Sequence, residues 1–125
     1  MRNLTFFFLG LFLIIFMIEC DNPTESKNHT PNIIEIITDT QSIQVNTSVW
    51  ITAIAIDKDS DSLSYYWKCS GGEIETYTDS PGRYSPITNP ARWRTPSVVG
   101  QYSITCTVSD GQSVDSDSII VSVGH

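Results

Sequence analysis

Beyond residue 31 apolar and polar positions alternate with a period of two, in short runs separated by Asp, Ser, Gly and Pro. The runs are NIIEIIT, SVWITAIAI, LSYYWKC, GEIETYT, ARWRT, QYSITCTV and SIIVSV. Period-two segments rich in β-branched and aromatic residues, bounded by turn formers, predict strands, and no stretch of residues 31–125 carries the 3.6-residue period of a helix. About seven short strands in some 95 residues predict an all-β fold, an antiparallel β-sandwich of two sheets with buried inner faces.

Alternation assigns the core. In YSITCTV, Tyr102, Ile104, Cys106 and Val108 share one face, and Ser103, Thr105 and Thr107 the other. In LSYYWKC the inward set is Leu63, Tyr65, Trp67 and Cys69. Because successive side chains point to opposite faces, both cysteines are expected to point inward. SVWITAIAI places Val49, Ile51, Ala53 and Ala55 inside, which leaves Trp50, Ile54 and Ile56 as a second apolar stripe on the outside. That stripe is either an interface covered by a partner, a neighbouring copy or the tether, or a set of scattered exposed apolar residues of the kind normal on protein surfaces.

The N-terminal pattern is different. Leu4 to Ile18 is an unbroken apolar run of 15 residues, followed by Glu19, Cys20 and the polar stretch DNPTESKNHT. It is shorter than the roughly 20 residues a membrane-spanning helix needs and has the organisation of an export signal. The segment resembles a bacterial lipoprotein signal, in which a peptidase cuts before a cysteine that carries the lipid, although Glu19 stands where a small residue is usual. The resemblance implies a signal peptide over 1–19, a lipidated Cys20 opening a flexible tether over 20–30, and a folded domain over 31–125. Its localisation would be the bacterial cell envelope, lipid-anchored to a membrane on the extracytoplasmic side. Two or more acyl chains hold a protein stably, since each buried CH₂ contributes about 0.8 kcal/mol.

Composition narrows the function. The 125 residues suffice for one domain, and a net charge of -7 argues against nucleic acid as a partner, which would need clustered Lys and Arg. With Cys20 lipidated, Cys69 and Cys106 remain as an even pair in an exported chain, where a disulfide is the default. Closing a loop of about 37 residues would contribute roughly 4 kcal/mol by the chain-entropy model. Zinc is disfavoured because the only histidines are His29 and His125, and the redox-motif spacing Cys-x-x-Cys is absent. Catalysis is not expected: neither core cysteine has a histidine in view, and Asp57 with Asp59 in one turn does not flank a cleft.

Two sets of residues carry candidate chemistry. Asp57, Asp59 and Asp61 alternate in the turn between SVWITAIAI and LSYYWKC. With Asp110 from another loop they could direct oxygens to one hard cation, calcium; the alternative is a solvated turn whose side chains bond their own backbone. Tyr77, Arg83 and Tyr84 lie in the Pro- and Gly-punctuated stretch TYTDSPGRYSPITNP, long enough for a binding loop. There rings can stack on sugars and an arginine can fork a carboxylate, or both tyrosines simply pin the loop to the sandwich.

The order of motifs is similar to that of PKD-like and related bacterial immunoglobulin-like domains. The residues concerned are Pro31 with the isoleucines after it, VWITAIAIDKDSDSLSYYW, the Trp-x-x-Pro element at Trp93–Pro96, and GQYSITCTVSDG. The resemblance spans most of 31–123 and implies a seven-stranded immunoglobulin-like (PKD-like) sandwich with Trp93 buried. It also implies a noncatalytic adhesion or binding module that recognises a protein or a glycan. The alternative is a structural accessory subunit of a cell-envelope assembly. Cys69, Cys106 and the long stretch 77–90 depart from the commonest family pattern.

Overall fold

The computed structural model describes residues 27–79 and 83–125. The expected signal peptide, Cys20 and most of the tether lie outside the described residues. Eight strands form: β1 Asn32–Thr38, β2 Ile43–Gln44, β3 Ser48–Ile56, β4 Ser64–Cys69, β5 Glu73–Ile74, β6 Ala91–Arg94, β7 Gly100–Ser109 and β8 Val114–Gly124. They make two four-stranded sheets, ordered β1-β3-β6-β5 and β2-β8-β7-β4. This is an immunoglobulin-like β-sandwich: alternation predicts the sandwich, and the motif resemblance implies its immunoglobulin-like form.

The inward stripes meet in one core. Val49, Ile51 and Ala53 of β3, Trp67 of β4, Ala91 and Trp93 of β6, and Ile104, Cys106 and Val108 of β7 are all buried. The two tryptophans find partners for their ring N–H groups, as buried indoles must: Trp67 donates to the Thr88 carbonyl at 2.9 Å and Trp93 to the Gly71 carbonyl at 3.0 Å. Gly72 is required in the β4–β5 turn. Its φ is +72°, and a Cβ there would stand 2.1 Å from the Arg94 carbonyl oxygen. Tyr102 anchors the start of β7 by donating to the Val98 carbonyl at 2.6 Å, a corner of the kind found in immunoglobulin-like sandwiches.

The first strand changes sheets. β1 pairs antiparallel with β3, through a bulge between Ile33 and Glu35, while the chain after it crosses to pair β2 in parallel with the end of β8. Two residues are too few for a periodic signal, so β2 is not legible in the sequence. Across the opening between the sheets, the Ile33 N–H donates to Asp115 Oδ2 at 2.8 Å and ties β1 to β8.

The expected Cys69–Cys106 disulfide is not formed; both are free thiols. Each does point inward, but β4 and β7 are neighbours in one sheet, and the register sets Cys69 opposite Ile104 and Cys106 opposite Trp67. The cysteines therefore occupy diagonal positions, where Cα atoms lie roughly 7–8 Å apart, beyond the usual disulfide span of about 4.4–6.8 Å. Burial pushes both thiols up, Cys106 to about 11.

The tether expectation is also corrected at its end. Asn28 and His29, assigned to a flexible segment, make hydrogen bonds to the loops at 59 and 110–113. Packing thus begins before Pro31.

Candidate functional site

The stripe through Trp50 and the loop at 77–90, read from the sequence as separate candidates, form one surface. Tyr77 and Tyr84 pair as an isolated antiparallel bridge, exchanging N–H···O bonds of 2.8 and 3.0 Å. Residues opposite each other in such a pair point to the same side, and the two rings stack with centroids 5.4 Å apart and planes 21° from parallel. Tyr84 also meets Trp50 edge to face, at 5.4 Å and 87°. Trp50 is therefore covered by its own chain, whereas Ile54 and Ile56 stay exposed.

An arginine that the sequence reading did not single out completes the cluster. In β6, Ala91 and Trp93 face the core, so Arg92 and Arg94 face out, and the β3–β6 register sets Arg92 directly opposite Trp50. Its guanidinium carbon lies 5.0 Å from the Trp50 ring centroid and 5.8 Å from that of Tyr84. Glu75 lies against both arginines, its carboxylate 3.2 Å from Arg92 Nε and 3.8 Å from Arg94 Nη1. Aromatic pairs contribute about 0.5–1.5 kcal/mol each and an exposed cation–π contact about 0.5–1 kcal/mol. Together they exceed thermal energy several-fold, so the cluster is a pre-ordered platform, with Trp50 and Arg92 on strands and Tyr77 and Tyr84 on the isolated bridge. Alternation in ARWRT shows that Arg92 faces out, but not which strand lies beside it.

Arg83 lies next to this platform. A cavity of about 340 Å³ is lined by Tyr77, Thr78, Arg83, Tyr84, Ser85, Ile87 and Thr88, within the roughly 300–1,000 Å³ of small-ligand sites. Its lining is rings, an isoleucine and threonine methyls, with one guanidinium. The strand side of this loop is rigid, because the Trp67 N–H donates to the Pro86 carbonyl at 2.8 Å. Asn89 continues the β3 ladder with its side chain, accepting from the Ala53 N–H at 2.9 Å and donating to the Ala53 carbonyl at 2.8 Å.

The aspartates gather at the opposite end of β3. Asp57, Asp59 and Asp61 can each place one carboxylate oxygen within 4.8 Å of the others. Three of their six carboxylate oxygens already have partners. Asp57 Oδ2 accepts from the Asp61 N–H at 2.8 Å, while Asp57 Oδ1 is buried without a partner. Asp59 accepts the His29 backbone N–H at 2.6 Å and faces the His29 ring at 2.9 Å, contacts that hold its carboxyl below the ordinary range. Asp110, expected to join this group, lies near enough for its charge to raise Asp61 but does not share the same cluster of oxygens. Its Oδ1 accepts the N–H groups of Gln112 and Ser113, and its Oδ2 accepts from Asn28 and Ser113. These bonds, with the Ser113 backbone first, hold its carboxyl down to about 2. Calcium ordinarily takes six to eight oxygen ligands, more than three carboxylates offer with one oxygen each.

Comparison with known proteins bears on the fold. No protein-family model and no curated protein matches the sequence. Among solved structures, the PKD1 domain of Vibrio anguillarum Epp is similar, with a TM-score of 0.56 and 19% sequence identity over 78% of this chain and 98% of that one. The chain has a PKD-like fold. The motif order in the sequence led to the same fold, through the Trp-x-x-Pro element and the strand containing Tyr102 among others. Within this PKD-like sandwich, Tyr77, Tyr84 and Trp50 come together, Arg83 lines the adjoining cavity, and Ile54 and Ile56 run from the platform toward the aspartate end.

Proposed function

We propose that this protein is a noncatalytic, extracytoplasmic recognition module, lipid-anchored through Cys20 in a bacterial cell envelope, that grips a protein or a glycan through the platform of Trp50, Tyr77, Tyr84 and Arg92. The observation that carries the reading is the pre-ordered aromatic–guanidinium cluster beside the Arg83 cavity. Rings held by stacking and cation–π contacts lose little further freedom when a sugar or a side chain settles on them, and lower ordering costs leave more of the contact energy for binding. The apolar run before Cys20 supports the anchor. The elevated thiols support a noncatalytic role, since thiolate is the nucleophile.

Screening the folded domain against envelope glycans, followed by Tyr84→Ala, tests this. Loss of a stacked ring should weaken binding by about 1–3 kcal/mol, roughly 5- to 150-fold, as central aromatic contacts typically do. Unchanged affinity in Tyr84→Ala and Trp50→Ala would sink the platform as the site.

A second reading, an accessory subunit of an envelope assembly, is supported by Ile34, Ile37, Ile54 and Ile56, all exposed on β1 and β3. It predicts a copurifying protein after cross-linking on cells, lost on changing Ile54 and Ile56 to serine.

A further inference from the structure

Three arginines lie around the platform, and they differ in what neutralises them. Arg92 and Arg94 share the Glu75 carboxylate. Among the described residues Arg83 makes no ion pair with a carboxylate, and Asp79 of its own loop does not line the cavity. In a chain with 14 acidic and 7 basic residues, a guanidinium without a counter-charge at the wall of a cavity is the exception. Its planar fork matches a carboxylate, which it can hold by two parallel N–H···O bonds.

The rest of the cavity wall suits a sugar. Tyr77 is stacked on Tyr84 by one face and still 44% exposed, so its other face is open to a flat, partly apolar body. Ile87, 69% exposed, adds an apolar wall. The Ser85 hydroxyl accepts the Ile87 N–H at 3.3 Å and keeps its own proton to donate. A pyranose ring presents the complementary mixture, a C–H face with hydroxyls at its rim. An extended peptide fits less well: strand addition needs free backbone groups, and those of Tyr77 and Tyr84 are already paired to each other.

We infer that this site takes an acidic glycan unit, a sugar bearing a carboxylate, with its ring against Tyr77 and its carboxylate on the Arg83 guanidinium. The inference deepens the recognition reading above and rests on it. The two contacts have separate tasks. Stacking on Tyr77 is indifferent to charge and supplies contact area, whereas the guanidinium distinguishes an acid from its neutral counterpart.

Full-length protein in detergent micelles, titrated with a panel of uronic acid and sialic acid oligosaccharides, each beside its methyl ester, tests the assignment. The esters keep every ring and hydroxyl and lose only the charge. The acids should bind at least about tenfold more tightly than their esters, since a charge-assisted hydrogen bond is roughly twice as strong as a neutral one. Added salt should narrow that contrast by screening. Arg83→Gln should bring acid and ester to equal affinity, while Tyr77→Ala should weaken both by the same factor. Lys68→Gln, which removes one positive charge from β4 in the other sheet, should leave the contrast as it is. Acids and esters that bind equally to wild type, with both lost in Tyr84→Ala, would overturn the acidic assignment and keep the platform. Acid-selective binding that survives both Arg83→Gln and Tyr84→Ala would remove the assignment and the platform together. No binding by any acid of the panel would also overturn the inference, and polyglutamate bound in its stead would give the platform to a protein partner.

Discussion

Cys69 and Cys106 show how far alternation carries at the level of single residues. Period two places both side chains inside, and both are inside; what it cannot give is the register between β4 and β7, which sets them diagonally. A one-residue slip of either strand would turn its whole apolar set to solvent, so the register is held by Trp67, Ile104 and Val108 as much as by the cysteines themselves. Both cysteines should therefore label as free thiols in unfolded, unreduced protein, with a mass shift for two adducts in the mature chain. In the native state labelling should be slow, because burial raises both thiols and little thiolate is present at neutral pH. Recovery of an unlabelled pair from the unfolded chain would restore the disulfide.

The elements with strong periodicity were legible: the run SVWITAIAI is β3 residue for residue, and QYSITCTV lies within β7. Where sequence reading stops is where the pattern is short or the partner is distant. GEIETYT contributes only Glu73 and Ile74 to a strand, because beyond them Tyr77 turns to pair with Tyr84. The stretch 77–90 was readable as a loop from its Pro and Gly content, but not as the cover of Trp50, which depends on β6 lying beside β3. Asn89 is the clearest case of a role without a local signal. Its amide makes a reciprocal pair with Ala53, serving as one rung of the sheet ahead of the start of β6. Asn89→Ala would leave the Ala53 N–H and carbonyl in a half-buried position without these partners, at a cost of about 1–3 kcal/mol. Asn89→Asp, which keeps an acceptor but loses the donor, should fall between the two. A urea midpoint lowered in the order wild type, Asp, Ala checks the assignment, and an unchanged midpoint in Asn89→Ala would refute it.

Among the described residues both signs of charge meet at the platform, where Glu75 lies against Arg92 and Arg94, whereas the far end of β3 is predominantly acidic. Arg83, Arg92 and Arg94 belong to the platform and its cavity, while Asp57, Asp59, Asp61 and Asp110 gather where the N-terminal segment enters. The acidic end gives stability a pH dependence whose sign follows from its hydrogen bonds. Asp59 and Asp110 have folded pKa values below those of the unfolded chain, Asp110 at about 2, because backbone and side-chain donors favour the ionised form. As pH falls from about 4 toward 2 the unfolded chain takes up these protons first, so the contribution of both groups, complete above the ordinary carboxylate range, is lost through that window. Asp61 acts in the opposite sense: desolvation and then the charges of Asp57 and Asp59 raise it, so the native state binds its proton before the unfolded chain does, and acid relieves part of the repulsion. Two lowered groups against one raised predict a net decline in the urea midpoint on acidification from pH 5 to pH 2, shallower in Asp110→Ala than in wild type. The same acidification should open the segment at Lys27, since Asp59 and Asp110 are the acceptors that seat Asn28 and His29. Amide exchange at His29 that quickens in step with the falling midpoint of wild type, and is already fast in Asp59→Ala at pH 5, would link the acidic end to the seating of the chain; a pH-independent midpoint would break that link.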